Sequence, residues 1–175
     1  MKVRALLWLI SSIVFIPQLA FAASKADAIT FTVGGGYLFF SQKRDLHNTA
    51  VPAMAALAYN FTEQWALALA ANLINADSGD PDKHHVHGFA YIGDVLYRLH
   101  PLCSLEPYVM GGLNVMSLKP ISSEPVNQGG MNVGLGAQFW KSNHIALSVE
   151  ARDLYTFSGG KNDILLNGGV NFIWE

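Results

Sequence analysis

The sequence predicts an all-β protein, an eight-stranded antiparallel up-and-down barrel that crosses a membrane with its strands. Three observations predict it. Of the 175 residues 51% are apolar and only 14% charged, well below the roughly one quarter usual for a soluble domain. No apolar run long enough for a membrane helix follows Ala22. The apolar residues recur instead at every second position over eight stretches, the period of a β-strand.

The ends of the chain set the frame. Lys2 and Arg4 precede an apolar run, Ala5 to Ile16, and then the small-x-small triplet Ala20-Phe21-Ala22. That order is the basic region, apolar region and cleavage site of a signal peptide. Residues 1–22 are therefore expected to be removed, and 23–175 to form one domain of about 150 residues. Without Lys2 and Arg4 the chain is more acidic than its formal charge of −2, and no basic cluster remains, so nucleic acid is not an expected partner. The lone Cys103 excludes an intramolecular disulfide and is expected to pack as a small apolar residue at a rim.

Eight segments of strand length follow: Ile29–Phe40, Val51–Phe61, Trp65–Ala76, Gly88–Leu99, Leu105–Leu118, Met131–Trp140, His144–Phe157 and Ile164–Trp174. Each is near the roughly 9–11 residues of a tilted membrane strand. With odd positions of the first seven and even positions of the last on one face, that face is apolar. It reads Phe31, Val33, Gly35, Tyr37, Phe39 in the first segment and Ile164, Leu166, Gly168, Val170, Phe172, Trp174 in the last. Asp153 is its single charge. The opposite face carries Thr30, Asn72, Asn132, Gln138, Asn167 and Asn171 together with Asp94, Arg98, Glu106, Glu150 and Arg152. Strand side chains alternate between faces, so the division is physical.

Of the seventeen aromatic residues after Ala22, only Phe40, Tyr108 and Trp140 fall on the polar face. The others gather toward segment ends, as in the two aromatic girdles that flank a membrane barrel's apolar band. Connections alternate in length. Thr62–Gln64, His100–Ser104 and Lys141–Asn143 are short, whereas Ser41–Ala50, Asp77–His87, Lys119–Gly130 and Ser158–Asp163 are mostly longer. Short turns at one end and long loops at the other are the pattern of an outer-membrane barrel.

Hydrocarbon requires every backbone donor and acceptor to be paired, which forces strands to close on themselves. Eight strands enclose only enough room for side chains, so a wide channel is not expected. The inner charges Asp94, Arg98, Glu106, Glu150 and Arg152 are expected to pair in one network. Pro52 and Pro107 each remove a ladder hydrogen bond and mark a strand start or a bulge. Asp153 calls for a rim position or a bulge before it.

Three stretches, Pro107–Asn114, Asn132–Phe139 and Leu147–Arg152, give the chain a likeness to a known family. The arrangement resembles the eight-stranded outer-membrane barrels that include the barrel domain of outer membrane protein A. The C-terminus is similar to that family's assembly signal in Asn167, Gly169, Phe172 and Trp174, with Glu175 as a departure beyond the last aromatic. The resemblance implies a place in the bacterial outer membrane, contact with its lipid and with the barrel-assembly machinery, and no attached peptidoglycan-binding domain.

Chemistry is sparse. Some barrels of this size are lipid A deacylases with a His-x-Ser pair, and no such pair is present. His144 and Ser148 share a face but stand too far apart on an extended strand for a nucleophile and its base. No enzyme activity and no cofactor are expected. The loop residues Asp80, Asp82, His84, His85 and His87 are candidate ligands for a transition metal, against an ordinary solvated loop. Gly88 stands where a calcium loop starting at Asp77 would need Glu. The function expected is structural or surface-interacting, with the outside loops meeting a host, phage or envelope partner. The alternative is a soluble lipocalin-like carrier, which would need a wettable outside. A narrow pore is disfavoured by the filled lumen.

Overall fold

Residues 24–77, 85–120 and 126–175 are described by the structure, a computed structural model. The expected signal peptide lies outside these residues. Eight strands follow in order: β1 (Ile29–Phe39), β2 (Thr49–Asn60), β3 (Trp65–Asp77), β4 (His85–Arg98), β5 (Leu105–Pro120), β6 (Val126–Ser142), β7 (Ile145–Thr156) and β8 (Lys161–Trp174). Each pairs antiparallel with its chain neighbour, and β1 pairs with β8 from Ile29↔Trp174 to Phe39↔Ile164, closing the barrel. No sheet edge is left, so the backbone is satisfied wherever lipid surrounds it. Ile29 and Trp174 mark the turn end; the opposite rim, which carries the β1–β2, β3–β4, β5–β6 and β7–β8 connections, is the loop end, although the β4–β5 connection of the turn end is longer than the last two of these.

The faces follow the alternation. Phe31, Leu57, Leu69, Leu113, Val133 and Leu147 remain exposed on the outer surface. A continuous apolar belt of that kind suits hydrocarbon and not water. Phe40, Tyr108 and Trp140, the aromatics that the alternation turns inward, are buried.

The differences from the sequence reading are local. Val51 is assigned to the outer face by parity but is buried. The register shifts between Gly34 and Gly36, which face Met54 and Val51, so β2 carries one extra residue there. Pro52 and Ala53 both point outward across this bulge, and the residues before it change face. Pro107 is tolerated because its carbonyl accepts from Leu99 N–H, placing its missing donor opposite the residue just after β4. At the loop end β4, β5 and β6 run on into segments read as loops, with His87↔Lys119 and Leu118↔Val126 paired. Ladder pairing there needs no apolar alternation, so the pattern does not reveal it. Cys103 is exposed in the β4–β5 turn with φ 60°, not packed at the rim. Asp153 keeps its outward position near the loop end of β7, half-buried and accepting from Asn162.

Glycines form the β1–β8 seam. Gly34 faces Gly169, and Gly35 faces Gly168. A Cβ on Gly34 would collide with the Gly168 carbonyl, and one on Gly36 with that of Leu166. The two strands are therefore joined by backbone at closest approach.

Candidate functional site: the lumen and the loop end

The lumen is filled, and polar and apolar groups alternate along it. At the loop end the guanidinium of Arg44, carried by the 3-10 turn Gln42–Arg44, enters the barrel mouth. Its Nε donates to both Asp163 oxygens at 2.9 and 2.7 Å, one Nη to Gln128 at 2.6 Å and the other to Thr156 at 2.7 Å. The Arg44 side chain is 2% exposed and that of Asp163 0%. Asp163 also accepts from Ser41 N–H at 2.9 Å. Lys43 Nζ donates to the Gly160 carbonyl at 3.0 Å and Phe40 N–H to Asn48 at 2.8 Å. Loop 1, the connection between β1 and β2, is thus strapped across the mouth to β6, β7 and β8. Beneath it lies an apolar cluster that includes Leu38, Phe40, Val51, Ile74, Met116 and Leu154.

The five charges expected in one network fall into two groups. In the middle, Arg152 bonds Asp94 and also reaches Glu150 at 2.7 Å. Tyr108 donates its hydroxyl to Glu150 at 2.8 Å, with its ring over Gly136, where a Cβ would clash. Asn167 donates to Asn72 across the same layer at 3.0 Å. Nearer the turn end, Arg98 donates to Asn60 at 2.8 Å and stands 3.9 Å from Glu106. Glu106 accepts from Trp140 Nε1 at 3.1 Å and from the Ser24 hydroxyl at 2.8 Å. Parity assigns a side chain to a face but not to a height, and height separates these groups.

Sequence reasoning missed the Arg44–Asp163 pair. Parity supplies half of the signal: β8 begins before Ile164, so Asp163 shares the inner face with Leu165 and Asn167. Nothing in the loop sequence singles out Arg44.

Of the candidate metal ligands, Asp80, Asp82 and His84 lie outside the described residues. His85 pairs with Asp77 at 2.5 Å, and His87 Nδ1 contacts Asn75 Oδ1 at 2.9 Å; both histidines are exposed beyond the belt. Among the described residues no group of three His, Cys, Asp or Glu comes together to hold a metal. Asn167, Gly169, Phe172 and Trp174 lie along β8, the first buried inside and the aromatics exposed on the belt.

No protein-family model matches the sequence, and no curated protein is similar to it. Solved structures are similar. The N-terminal β-barrel domain of Pseudomonas aeruginosa OprF matches at 20% identity and a TM-score of 0.63, over 85% of this chain and 98% of that one. The outer membrane protein OprG of the same organism matches at 10% identity and 0.69, over 89% and 100%. Ail, the attachment invasion locus protein of Yersinia pestis, matches at 10% identity and 0.59, over 85% and 99%. With its closed ladder, apolar belt and filled polar lumen, the chain has the fold of the small eight-stranded outer-membrane β-barrels.

Proposed function

We propose that this chain is an outer-membrane protein that works through the surface of its loop end and neither carries a ligand nor conducts ions. The observation that carries the reading is the lumen. It is closed at the loop end by Arg44 and Asp163, blocked below by an apolar cluster, and closed again by Glu106, Trp140 and Ser24. An apolar constriction opposes ions by dewetting. What remains free to act is the loop end, where the β3–β4 hairpin presents His85 and His87 beyond the belt. Loop 1 serves the seal, so a host, phage or envelope partner would be met by the other three connections. Ail, one of the similar structures, is named for attachment and invasion, which favours a surface role. Export through a signal peptide cut after Ala22, delivery by the barrel-assembly machinery and residence among outer-membrane lipid belong to the same reading.

The test is fractionation with gel mobility before and after boiling, followed by planar-bilayer recording. Recovery in the outer membrane, a mobility change only on boiling and a silent bilayer are expected. Soluble recovery without a heat shift would return the lipocalin-like carrier. Steady single-channel currents would return the pore.

A further inference from the structure

The outer wall of the barrel carries a groove of about 500 Å³ that crosses β2 to β5 on the lipid-facing side. The register explains it. Two neighbouring rungs cross these strands, one reading Ala55, Ala71, Tyr91, Val115 and the next Leu57, Leu69, Gly93, Leu113. Ala55, Ala71 and Gly93 leave the floor low, while Leu69 and Leu113, 69% and 67% exposed, stand up beside it. A Cβ on Gly93 would meet nothing nearer than Leu69 Cδ2 at 3.4 Å, so no neighbouring side chain fills the floor there.

A cation stands above the groove. From Gly93↔Leu113 toward the loop end, the outward pairs of β4 and β5 are Tyr91↔Val115, Phe89↔Ser117 and His87↔Lys119. The rings of Tyr91 and Phe89 stack at 5.9 Å and wall the path between groove and rim. Six residues separate His87 from Gly93. That is about 20 Å along a strand and about 15 Å of depth at a tilt of roughly 40°. Half of a hydrocarbon layer is also about 15 Å, so with Lys119 among the outer headgroups the groove lies near the bilayer centre. Lys119 and His87 are both exposed. Asp77, on the far side of His87, is engaged by His85 at 2.5 Å.

We infer that the outer wall of β2–β5 holds one phosphate-bearing lipid of the outer leaflet, with an acyl chain in the groove and its phosphate at Lys119 and His87. An apolar groove accepts any hydrocarbon chain, and the ammonium above it adds a requirement for negative charge. The same ammonium disfavours a second copy of the chain. Two copies packed groove to groove about an axis along the membrane normal would set Lys119 against Lys119 at one height. The site lies outside the sealed lumen. It rests on residence in the outer membrane and gives the β3–β4 hairpin a fixed lipid neighbour.

The test uses the whole chain folded in detergent, with the mobility change on boiling as proof that the barrel is closed. A negative result then bears on the site and not on the membrane reading. Dilauroyl phosphatidic acid is added and retained lipid is counted by native mass spectrometry. Dilauroylglycerol supplies the same chains without phosphate, and inorganic phosphate the anion without chains. One phosphatidic acid per barrel is expected, with dilauroylglycerol lost and inorganic phosphate unable to displace the lipid. Gly93→Leu should abolish retention by filling the groove, and Ala71→Leu gives the same reading should that variant fail to close. Lys119→Gln should weaken retention about fivefold. Equal retention of dilauroylglycerol, displacement by inorganic phosphate, or full retention by the groove or Lys119 variants would overturn the proposal. So would a wild-type dimer that Gly93→Leu dissolves, which would give the groove to a second copy.

Discussion

The two mouths of the barrel are closed by arginine–carboxylate pairs of different construction. At the loop end, Arg44 comes from a connection, and each of its three guanidinium nitrogens has a partner. Near the turn end, Arg98 comes from a strand, makes one hydrogen bond to Asn60, and leaves Nε and Nη1 without one. Its distance of 3.9 Å to Glu106 is long for direct bonding. A loop can be laid so that its guanidinium reaches every acceptor around a mouth. A strand residue must point where the ladder directs it. At the loop end both partners therefore hold loop 1 down, whereas at the turn end Glu106 alone holds Ser24 and Arg98 fills space and balances charge.

The largest effect should come from Asp163→Ala. It leaves Arg44 buried without a counter-charge and Ser41 N–H without an acceptor, and should cost about 3–5 kcal/mol in urea unfolding. Loop 1 should then open to trypsin beside Lys43 and Arg44, while the wild-type barrel stays uncut. A loss under about 1 kcal/mol with an uncut loop would show that the strap is held by something else. Arg44→Met should cost less, about 1–3 kcal/mol by the same assay, because Asp163 keeps the Ser41 donor and the opened mouth admits water. The double change Arg98→Met with Glu106→Gln should be mildest, within about 1 kcal/mol of wild type, since a buried pair replaced as a unit is often neutral. A loss there as large as that of Asp163→Ala would erase the distinction between the mouths.

The strands and their faces were legible because the belt is a constraint on every second residue. Phe40, Tyr108 and Trp140 could be turned inward from sequence alone, and the structure buries all three. Val51 escaped because an extra residue near Pro52 reverses parity without an apolar residue to betray it. The loop-end extensions escaped because backbone pairing outside lipid leaves no side-chain pattern. The two charge groups read as one because period-two reasoning gives direction and no height, and Arg44 was invisible because a buried loop arginine reads like any solvated one.

The glycine seam bears on how the barrel is completed. β1 and β8 are the strands farthest apart in sequence, so their pairing closes the longest loop and carries the largest entropic barrier. Where Gly34 and Gly35 meet Gly169 and Gly168, no side chain interlocks to stop the strands from sliding. Alignment is decided at the flanks, by Phe31 against Phe172 on one side and Tyr37 against Leu166 on the other. A slip of one residue would carry Asn167 and Asn171 into the hydrocarbon. The joint is therefore smooth while the strands search and unforgiving once they stop, so the pairing of β1 with β8 checks the register of the rest.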